Sequence, residues 1–253
     1  MKDRAIVPVA FGTLTKARDT YEFFEERLRK QFPGENILWA FSSKKLRTQI
    51  EKEGISWKSP ENVLKTLKRE GYKSVVLQSL HIVPGIEFEK VANAAKASRL
   101  NVSVGVPLLS SEIDCYRTLD ALSGSIPDPA DCLTVIVGHG TVHSGAGAVY
   151  MQFEEFVTSR YPKNVYVSMV DGVPSRESTL EKIKKAGLHK IKFIPLMFVA
   201  GEHIMNDVLG NYNDSWKAHL GGYEIDGSEK GLGFNEEILE IYFDHLKDAM
   251  EKL

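Results

Sequence analysis

Short apolar runs alternate with longer amphipathic stretches along the chain. The runs are rich in β-branched residues, as buried strands of parallel sheets are, and they span residues 5–11, 37–41, 74–80, 102–109, 133–137, 165–170 and 192–199. Between them, apolar positions recur with helical spacing in residues 17–31, 61–70, 87–99, 111–122, 175–186 and 234–252. This alternation predicts an α/β fold in which helices cover both faces of parallel sheets.

The two halves of the sequence are similar to each other. Residues 71–88 (GYKSVVLQSLHIVPGIEF) align with residues 187–204 (GLHKIKFIPLMFVAGEHI) at a constant offset, 187 − 71 = 116. The first strands of the halves end in FGT (11–13) and HGT (139–141), so Phe11 aligns with His139. We therefore predict two similar Rossmann-like domains with a cleft between them.

A segment rich in proline, glycine and aspartate, SGSIPDPADC (123–132), has the composition of a linker. It places the predicted domain boundary between residues 125 and 126, with domains of residues 1–125 and 126–253. We also expect the C-terminal helix to pack back on the N-terminal domain.

Three side chains at the carboxyl ends of predicted strands can carry chemistry. Glu87 aligns with His203 at the offset of 116, and His139 follows the strand of residues 133–137. Each alone is more typical of a structural residue, but open α/β sheets bind ligands at this edge. Two imidazoles and a carboxylate suit cobalt(II), nickel(II), iron(II) or zinc(II). Nearby glycines, which let backbone or ligand approach closely, are Gly85, Gly138, Gly140 and Gly201.

Other residues are weaker candidates. His143 follows His139 by four residues, but the glycines of GHGTVHSGAG (138–147) argue against a helix there. Asp171 ends a predicted strand, either as a turn former or as a ligand in the cleft. Lys44, Lys45 and Arg47 form either a solvated helix face or a contact for the carboxylates of an acidic ligand.

Composition excludes several classes of function. The 253 residues include 32 Lys+Arg and 34 Asp+Glu, and a net charge of −2 gives no field that would recruit nucleic acid or an anionic membrane. No apolar run approaches the ~20 residues of a membrane helix. The two cysteines, Cys115 and Cys132, lack metal-ligand spacing and indicate a reducing, cytoplasmic environment. The chain has neither a P-loop nor a G-x-S-x-G nucleophile motif.

An ordered set of motifs resembles the anaerobic-type cobalt chelatases of the class II chelatase superfamily. The set includes AFGT (10–13), QSLHIVPGIEFEK (78–90), GHGT (138–141), PLMFVAGEHIMND (195–207) and GLGFN (231–235). The resemblance implies two Rossmann-like domains that bind a tetrapyrrole and insert a divalent metal without ATP. The metal-binding histidines of that family match His139 and His203, and its cleft glutamate matches Glu87. A further metal-binding glutamate of some relatives falls at Asp171, which is shorter by one methylene.

The resemblance implies insertion of cobalt(II) into sirohydrochlorin, a carboxylate-rich macrocycle, during anaerobic cobalamin biosynthesis. Cobalt(II) is then a substrate, and we expect neither a cofactor nor ATP. The residues expected to contact the macrocycle are Phe11, Gly12, Thr13, Ser79 and Gly85. Insertion of iron or nickel is one alternative, and a non-enzymatic carrier of tetrapyrrole or metal is another. The sequence leaves the oligomeric state open, a homo-oligomer included.

Overall fold

The computed structural model describes residues 4–141 and 144–253, which divide into two compact units. The first unit extends to Ser110 and also includes Glu236–Leu253, and the second is Ser111–Asn235. Helices in both units begin at serines whose side chains accept a hydrogen bond from an amide three residues on, an arrangement that favours a helix start at that point. These serines are Ser43, Ser59, Ser111, Ser175 and Ser215.

The first unit is a parallel sheet with helices on both faces. Its elements in chain order are β1 Arg4–Ala10, α1 Asp19–Gln31, β2 Asn36–Ile37, β3 Ala40–Phe41, α2 Lys44–Glu51, α3 Pro60–Arg69, β4 Ser74–Ser79, α4 Ile86–Ala97 and β5 Asn101–Gly105. The strand order is β2-β1-β4-β5, and the short strand β3 pairs with the end of β1. The C-terminal helix Glu236–Met250 packs in this unit, where Phe243 contacts Phe24 of α1 with ring centroids 5.6 Å apart.

The second unit repeats the arrangement. Its elements are α5 Glu112–Ser123, β6 Leu133–Gly140, α6 Ser144–Arg160, β7 Val165–Asp171, α7 Arg176–Lys185, β8 Lys190–Leu196, α8 Trp216–His219 and β9 Glu224–Gly227, and the C-terminal helix, α9, follows in the chain. A π-helical segment, His203–Val208, comes between β8 and α8. The strand order is β7-β6-β8-β9, and every pair is parallel.

The predicted fold class is confirmed: two parallel sheets are flanked by helices. Alternate residues of β1 pack on opposite faces, with Val7 against the cluster that includes Val63 and Leu67 of α3. Ile6, which points to the other face, is also fully buried. Because both faces are covered, the central strands are continuous apolar runs, which is the pattern that made them recognisable.

The register of the central strands confirms the internal repeat. Val9 of β1 pairs with Ser79 of β4, and Val137 of β6 pairs with Pro195 of β8. The offsets between these pairs are 137 − 9 = 128 and 195 − 79 = 116, the same offsets that align FGT with HGT and β4 with β8 in the sequence. Phe11 and His139 therefore follow equivalent strands at equivalent positions.

The division of the chain differs from the expected boundary at 125/126. Helix α5 belongs to the second unit, where its Tyr116 ring lies 4.4 Å from that of Phe156 and Asp120 pairs with Arg160 of α6. The chain therefore crosses between the units at Ser110 and again at Asn235. The proline-rich segment 123–132 is a loop inside the second unit.

Helix α6 contradicts, for residues 144–147, the expectation that the glycines of residues 138–147 argue against a helix. It begins at Ser144 and contains Gly145 and Gly147. Four residues at helical spacing, Ala146, Tyr150, Phe153 and Val157, are buried to 3% exposure or less. Their burial outweighs the cost of about 1 kcal/mol for each glycine in a helix. Within the described ranges, no helix is long and apolar enough to span a membrane.

Candidate active site

His139 lies at the exposed carboxyl end of the central strand β6. Its ring nitrogen Nδ1 is 3.1 Å from the carbonyl oxygen of Gly140. A carbonyl only accepts hydrogen bonds, so Nδ1 carries the proton and the lone pair of the neutral ring is on Nε2. This is the tautomer in which a histidine binds a metal through Nε2 while a backbone carbonyl orients the ring.

The glycines beside His139 are required by the neighbouring strand. Gly140 has φ +83°, and a Cβ built there would lie 1.7 Å from the backbone oxygen of Asp171 on β7. Gly172 has φ +104°, and its Cβ would lie 2.5 Å from the backbone oxygen of Thr141. The two strand ends thus interlock through backbone contacts that only glycine permits. Glycines at these positions were expected to allow the close approach of either backbone or ligand, and the structure shows the close approach of backbone at Gly140.

Asp171 and His203 follow the two strands that flank β6. Asp171 ends β7 as an exposed residue in register with Gly140. His203 begins the π-helical segment after β8, but its side chain is outside the described part of the structure, and so is the whole of His143. Among the side chains that are described, no three histidine, cysteine, aspartate or glutamate groups form a metal-binding cluster. Metal ligation by His139, His203 and Asp171 therefore stays a prediction.

The loops after β4 and β8 have the same backbone hydrogen bonds. In the first unit, the amide of Gly85 donates to the carbonyl of Val83, and the amide of Glu89 donates to the carbonyl of Gly85. In the second unit, the amide of Gly201 donates to the carbonyl of Val199, and the amide of Met205 donates to the carbonyl of Gly201. Each donor and acceptor is displaced by the same 116 residues. Glu87 and His203 therefore occupy equivalent backbone positions, one in the first turn of α4 and one at the start of the π-helical segment.

The carboxylate of Glu87 has one engaged and one unsatisfied oxygen. Its Oε1 accepts a hydrogen bond from Lys90 on the next turn of α4. Its Oε2 is shielded from solvent and has no hydrogen-bond partner within the described residues. A buried oxygen without a partner is costly, so Oε2 is suited to receive a proton or a cation from a ligand.

Phe11 and Gly12 present the first unit's counterpart of the His139 turn. Phe11 is 44% exposed, which is unusual for a phenylalanine and leaves an apolar surface at the end of β1. Gly12 has φ +109°, the same left-handed conformation as Gly140. Thr13 is buried, and its hydroxyl accepts from the amide of Thr15.

Ser79 and Gly85, also expected to contact the macrocycle, are both buried. Ser79 has no exposed surface, and its hydroxyl hydrogen-bonds His81. Gly85 precedes the first turn of α4 as its N-terminal cap. Ser79 and Gly85 thus lie within the loop, whereas Phe11 is exposed at its surface, and contact of these residues with the macrocycle stays a prediction.

His81 is a residue of this region that the sequence analysis missed. Its Nδ1 lies 2.8 Å from the Ser79 hydroxyl and its Nε2 lies 3.1 Å from the Ser42 hydroxyl, at the ends of β4 and β3. Its carbonyl accepts from Tyr242 of α9 and from the amide of Leu108. In the internal repeat His81 aligns with the apolar Met197. This difference between equivalent positions is the feature of the sequence that could have indicated a special role for His81.

The environment of His81 favours the neutral ring. Desolvation is the main cause that lowers its pKa to about 4; the carboxylate of Glu87 acts in the opposite direction, and Lys90 adds to the lowering. A neutral ring held between two hydroxyls joins the ends of β3 and β4 beside Glu87. His81 thus positions the loop that carries Glu87.

The stability of the fold is expected to decrease as the pH decreases, because of His81. The unfolded chain protonates this ring near pH 6.5, whereas the folded chain does so only near pH 4, so acid favours unfolding. The contribution is complete above about pH 6.5 and is lost as pH falls to 4, by at most about 3 kcal/mol. Denaturant unfolding from pH 7 to pH 4 should show a smaller loss in His81→Gln than in wild type. The exposed His189→Gln should follow wild type, and a His81→Gln curve parallel to wild type would contradict this role.

The basic residues after Ser43 lie on α2. Lys44 and Lys45 are exposed, and the guanidinium of Arg47 donates to the carbonyl of Phe41 at the end of β3. The predicted solvated helix face is therefore present. Its position next to the strand ends brings it close to Phe11, whose carbonyl accepts from the amide of Ser43.

Comparisons with known proteins identify the family. A family model described as cobalt chelatase (CbiK) matches residues 4–251. A sirohydrochlorin cobaltochelatase of Salmonella typhimurium is 32% identical over 259 residues, which cover 98% of this chain and 96% of that protein. One from Nitratidesulfovibrio vulgaris is 30% identical over 266 residues, covering 100% and 93%.

The fold also occurs in a solved structure. SirB from Bacillus subtilis with Fe³⁺ superposes with a TM-score of 0.67 at 13% identity, covering 98% of this chain and 95% of SirB. At this identity the likeness concerns the fold alone. From the sequence matches over its full length, the chain belongs to the cobalt chelatase (CbiK) family.

Proposed function

We propose that the protein inserts cobalt(II) into sirohydrochlorin. The observation that carries this proposal is the match of the whole chain to the cobalt chelatase family, with relatives named sirohydrochlorin cobaltochelatase at 30% and 32% identity. The structure adds an exposed histidine, a shielded carboxylate oxygen and an exposed phenylalanine at the strand ends. The names of these relatives favour cobalt over iron or nickel, and they place the reaction in cobalamin biosynthesis.

The reaction exchanges two protons for one metal ion. The free macrocycle carries two pyrrole N–H groups; cobalt(II) forms bonds to the ring nitrogens and two protons leave, so that cobalt keeps its oxidation state. An enzyme must therefore present a partly desolvated cation and accept protons. Imidazole and carboxylate groups perform both tasks near neutral pH.

His139 is the residue we propose to present cobalt to the ring. Its bond to Gly140 leaves the lone pair on Nε2, and the interlocked glycines fix the backbone from which the ring projects. His203, at the equivalent strand end after β8, is proposed as the second histidine ligand. Asp171, beside Gly140 in the register, is proposed as a further ligand.

Glu87 is the group we propose to take a pyrrole proton. Its Oε2 is shielded and has no hydrogen-bond partner among the described residues, while Lys90 holds Oε1. A proton that arrives on Oε2 satisfies an atom that has no other hydrogen bond in that part of the structure. Independence from ATP and from any further cofactor, a cytoplasmic location, and the absence of nucleic-acid and membrane partners stay predictions.

A metal competition experiment tests the choice of metal. Purified protein would receive sirohydrochlorin with equal concentrations of cobalt(II), iron(II) and nickel(II) under anaerobic conditions, and products would be separated and identified by mass. We expect the cobalt product to form fastest, because the named relatives are cobaltochelatases. The imidazole and carboxylate ligands alone would suit iron(II) and nickel(II) as well. A product mixture dominated by iron or nickel would contradict the proposal.

A further inference from the structure

An open groove separates α2 from α3 in the first unit. Its volume is about 570 Å³. The α2 side is formed by positions 44, 47, 48 and 51, and the α3 side by positions 62, 65 and 66. These spacings of three and four residues are those of a single helical face, so the two helices turn one face each toward the groove.

The faces that line the groove are polar, although helix faces that pack together are normally apolar. The apolar residues of α3 point elsewhere: Val63, Leu64 and Leu67 are buried in the core against the sheet. The groove is therefore not an unfilled part of the core. Its lining has the composition of a site for a polar ligand.

The charge in the groove is strongly positive. Four cations, Lys44, Arg47, Lys58 and Lys65, face one acid, Glu51, in a chain whose net charge is −2. In the described part of the structure, the side chains of Lys44, Lys58 and Lys65 are exposed and make no ion pair or hydrogen bond. Four cations with a single acid among them repel one another, and a bound polyanion reduces that repulsion.

The groove adjoins the strand ends through Trp57. Trp57 lines the groove and stacks on Phe41 of β3 with ring centroids 4.0 Å apart. On its other side the Trp57 ring reaches Gly12, where a Cβ would lie only 3.0 Å away. The exposed Phe11, the turn at Gly12, Trp57 and the basic groove thus form one continuous surface of the first unit.

We propose that this basic groove, lined by Lys44, Arg47, Lys58 and Lys65, binds carboxylate side chains at the rim of the tetrapyrrole. The proposal rests on the proposed function, since it takes the macrocycle to be the ligand. Phe11 meets the apolar ring and the lysines meet the rim carboxylates, so the groove selects macrocycles rich in carboxylates. Arg47, held by the Phe41 carbonyl, is the fixed cation among mobile lysines.

The test is a binding titration that does not depend on metal insertion. Metal-free sirohydrochlorin would be titrated by its fluorescence into wild type, the groove variant K58E/K65E and the control variant K52E/K68E. Lys52 and Lys68 are also exposed, lie at the end of α2 and on α3, and are not part of the groove lining. The charge change of the two variants is identical.

We expect the Kd of the groove variant to rise about tenfold or more, because two attractive contacts become repulsive. The control should stay within about twofold of wild type, and added salt should weaken wild-type binding more than groove-variant binding. Equal Kd values for the two variants would overturn the proposal. Inorganic phosphate and citrate would also be added as competitors of the macrocycle. If the groove variant bound the macrocycle as tightly as wild type and differed only in losing this competition, the proposal would also be overturned, because the groove would then be a site for small anions.

The outcomes for the groove and for the proposed function are separable. If wild type binds the macrocycle but inserts no cobalt, the proposed function fails and the Kd values still decide the role of the groove. If wild type turns over and both variants bind equally well, the groove proposal fails while the function stands. Melting temperatures of the two variants, expected to be equal, exclude a folding defect as the cause of any difference.

Discussion

Replacing His139 by alanine is expected to lower kcat/KM for cobalt insertion at least about 100-fold. Loss of groups that merely orient metal ligands lowers activity about 10–100-fold, and we propose that His139 is itself a ligand. The reason lies in the turn: Nδ1 donates to Gly140, and Nε2 is then the atom that carries the lone pair. The measurement is the initial rate of cobalt-dependent absorbance change at several macrocycle concentrations.

The control for this prediction is His189→Ala. His189 is also an exposed histidine of the second unit, but it precedes β8 and so lies at the opposite edge of the sheet from His139. It is expected to keep wild-type kinetics. A His139→Ala protein with a normal melting temperature and a rate within threefold of wild type would remove His139 from the mechanism.

Replacing Gly140 by alanine is expected to destabilise the protein by about 3 kcal/mol or more. The new Cβ meets the backbone oxygen of Asp171 at 1.7 Å, and φ +83° is unfavourable for alanine. Backbone cannot move aside as a flexible side chain can, so β6 and β7 must separate at their ends. Denaturant unfolding of the full chain measures the free energy of unfolding.

Gly187→Ala separates the two causes. Gly187 has φ +74°, and a Cβ there has nothing within 4 Å, so this variant pays only the cost of the left-handed conformation, about 1 kcal/mol. The difference between the two variants then measures the clash with Asp171. If the two substitutions destabilised the protein equally, the interlocking of the strand ends would have no energetic importance.

The central strands are predictable from the sequence because burial on both faces requires long runs of apolar residues. The edge strands and the short strands have no such runs and are not predicted correctly. Strand β9 was missed because it is a four-residue edge strand in which Ile225 alternates with Glu224 and Asp226. The strand predicted for 37–41 is two short strands, β2 and β3. Helix α6 is not predicted by the sequence because the low helix propensity of its glycines takes no account of the core in which Phe153 and Val157 are buried.

The sequence identifies candidate site residues at positions where the two halves of the internal repeat carry different residues. Phe11 against His139 and Glu87 against His203 are replacements at equivalent positions, and the strand register shows that the equivalence is real. His81 and Met197 form a third such pair of different residues at equivalent positions. The basic groove could not be foreseen as a cavity, because the α2–α3 separation depends on how both helices pack on the sheet.

The turn that contains Gly140 in the second unit has a counterpart at Gly12 in the first unit, and the neighbours of these two glycines explain why each is required. Gly12 and Gly140 share the left-handed conformation at equivalent positions, but their neighbours differ: a Trp57 ring faces Gly12 and a strand backbone faces Gly140. The first unit therefore uses this turn to join Phe11 to an aromatic surface. The second uses it to fix the backbone that carries His139.

The central claim, that the protein is a chelatase acting on sirohydrochlorin and cobalt(II), is tested most directly by counting turnovers. A small amount of purified protein would be mixed anaerobically with a large excess of both substrates, and the cobalt product would be quantified by absorbance against a protein-free control. We predict product far beyond one equivalent per protein, at a rate proportional to protein concentration. Product that stops at one equivalent would contradict it and identify a carrier.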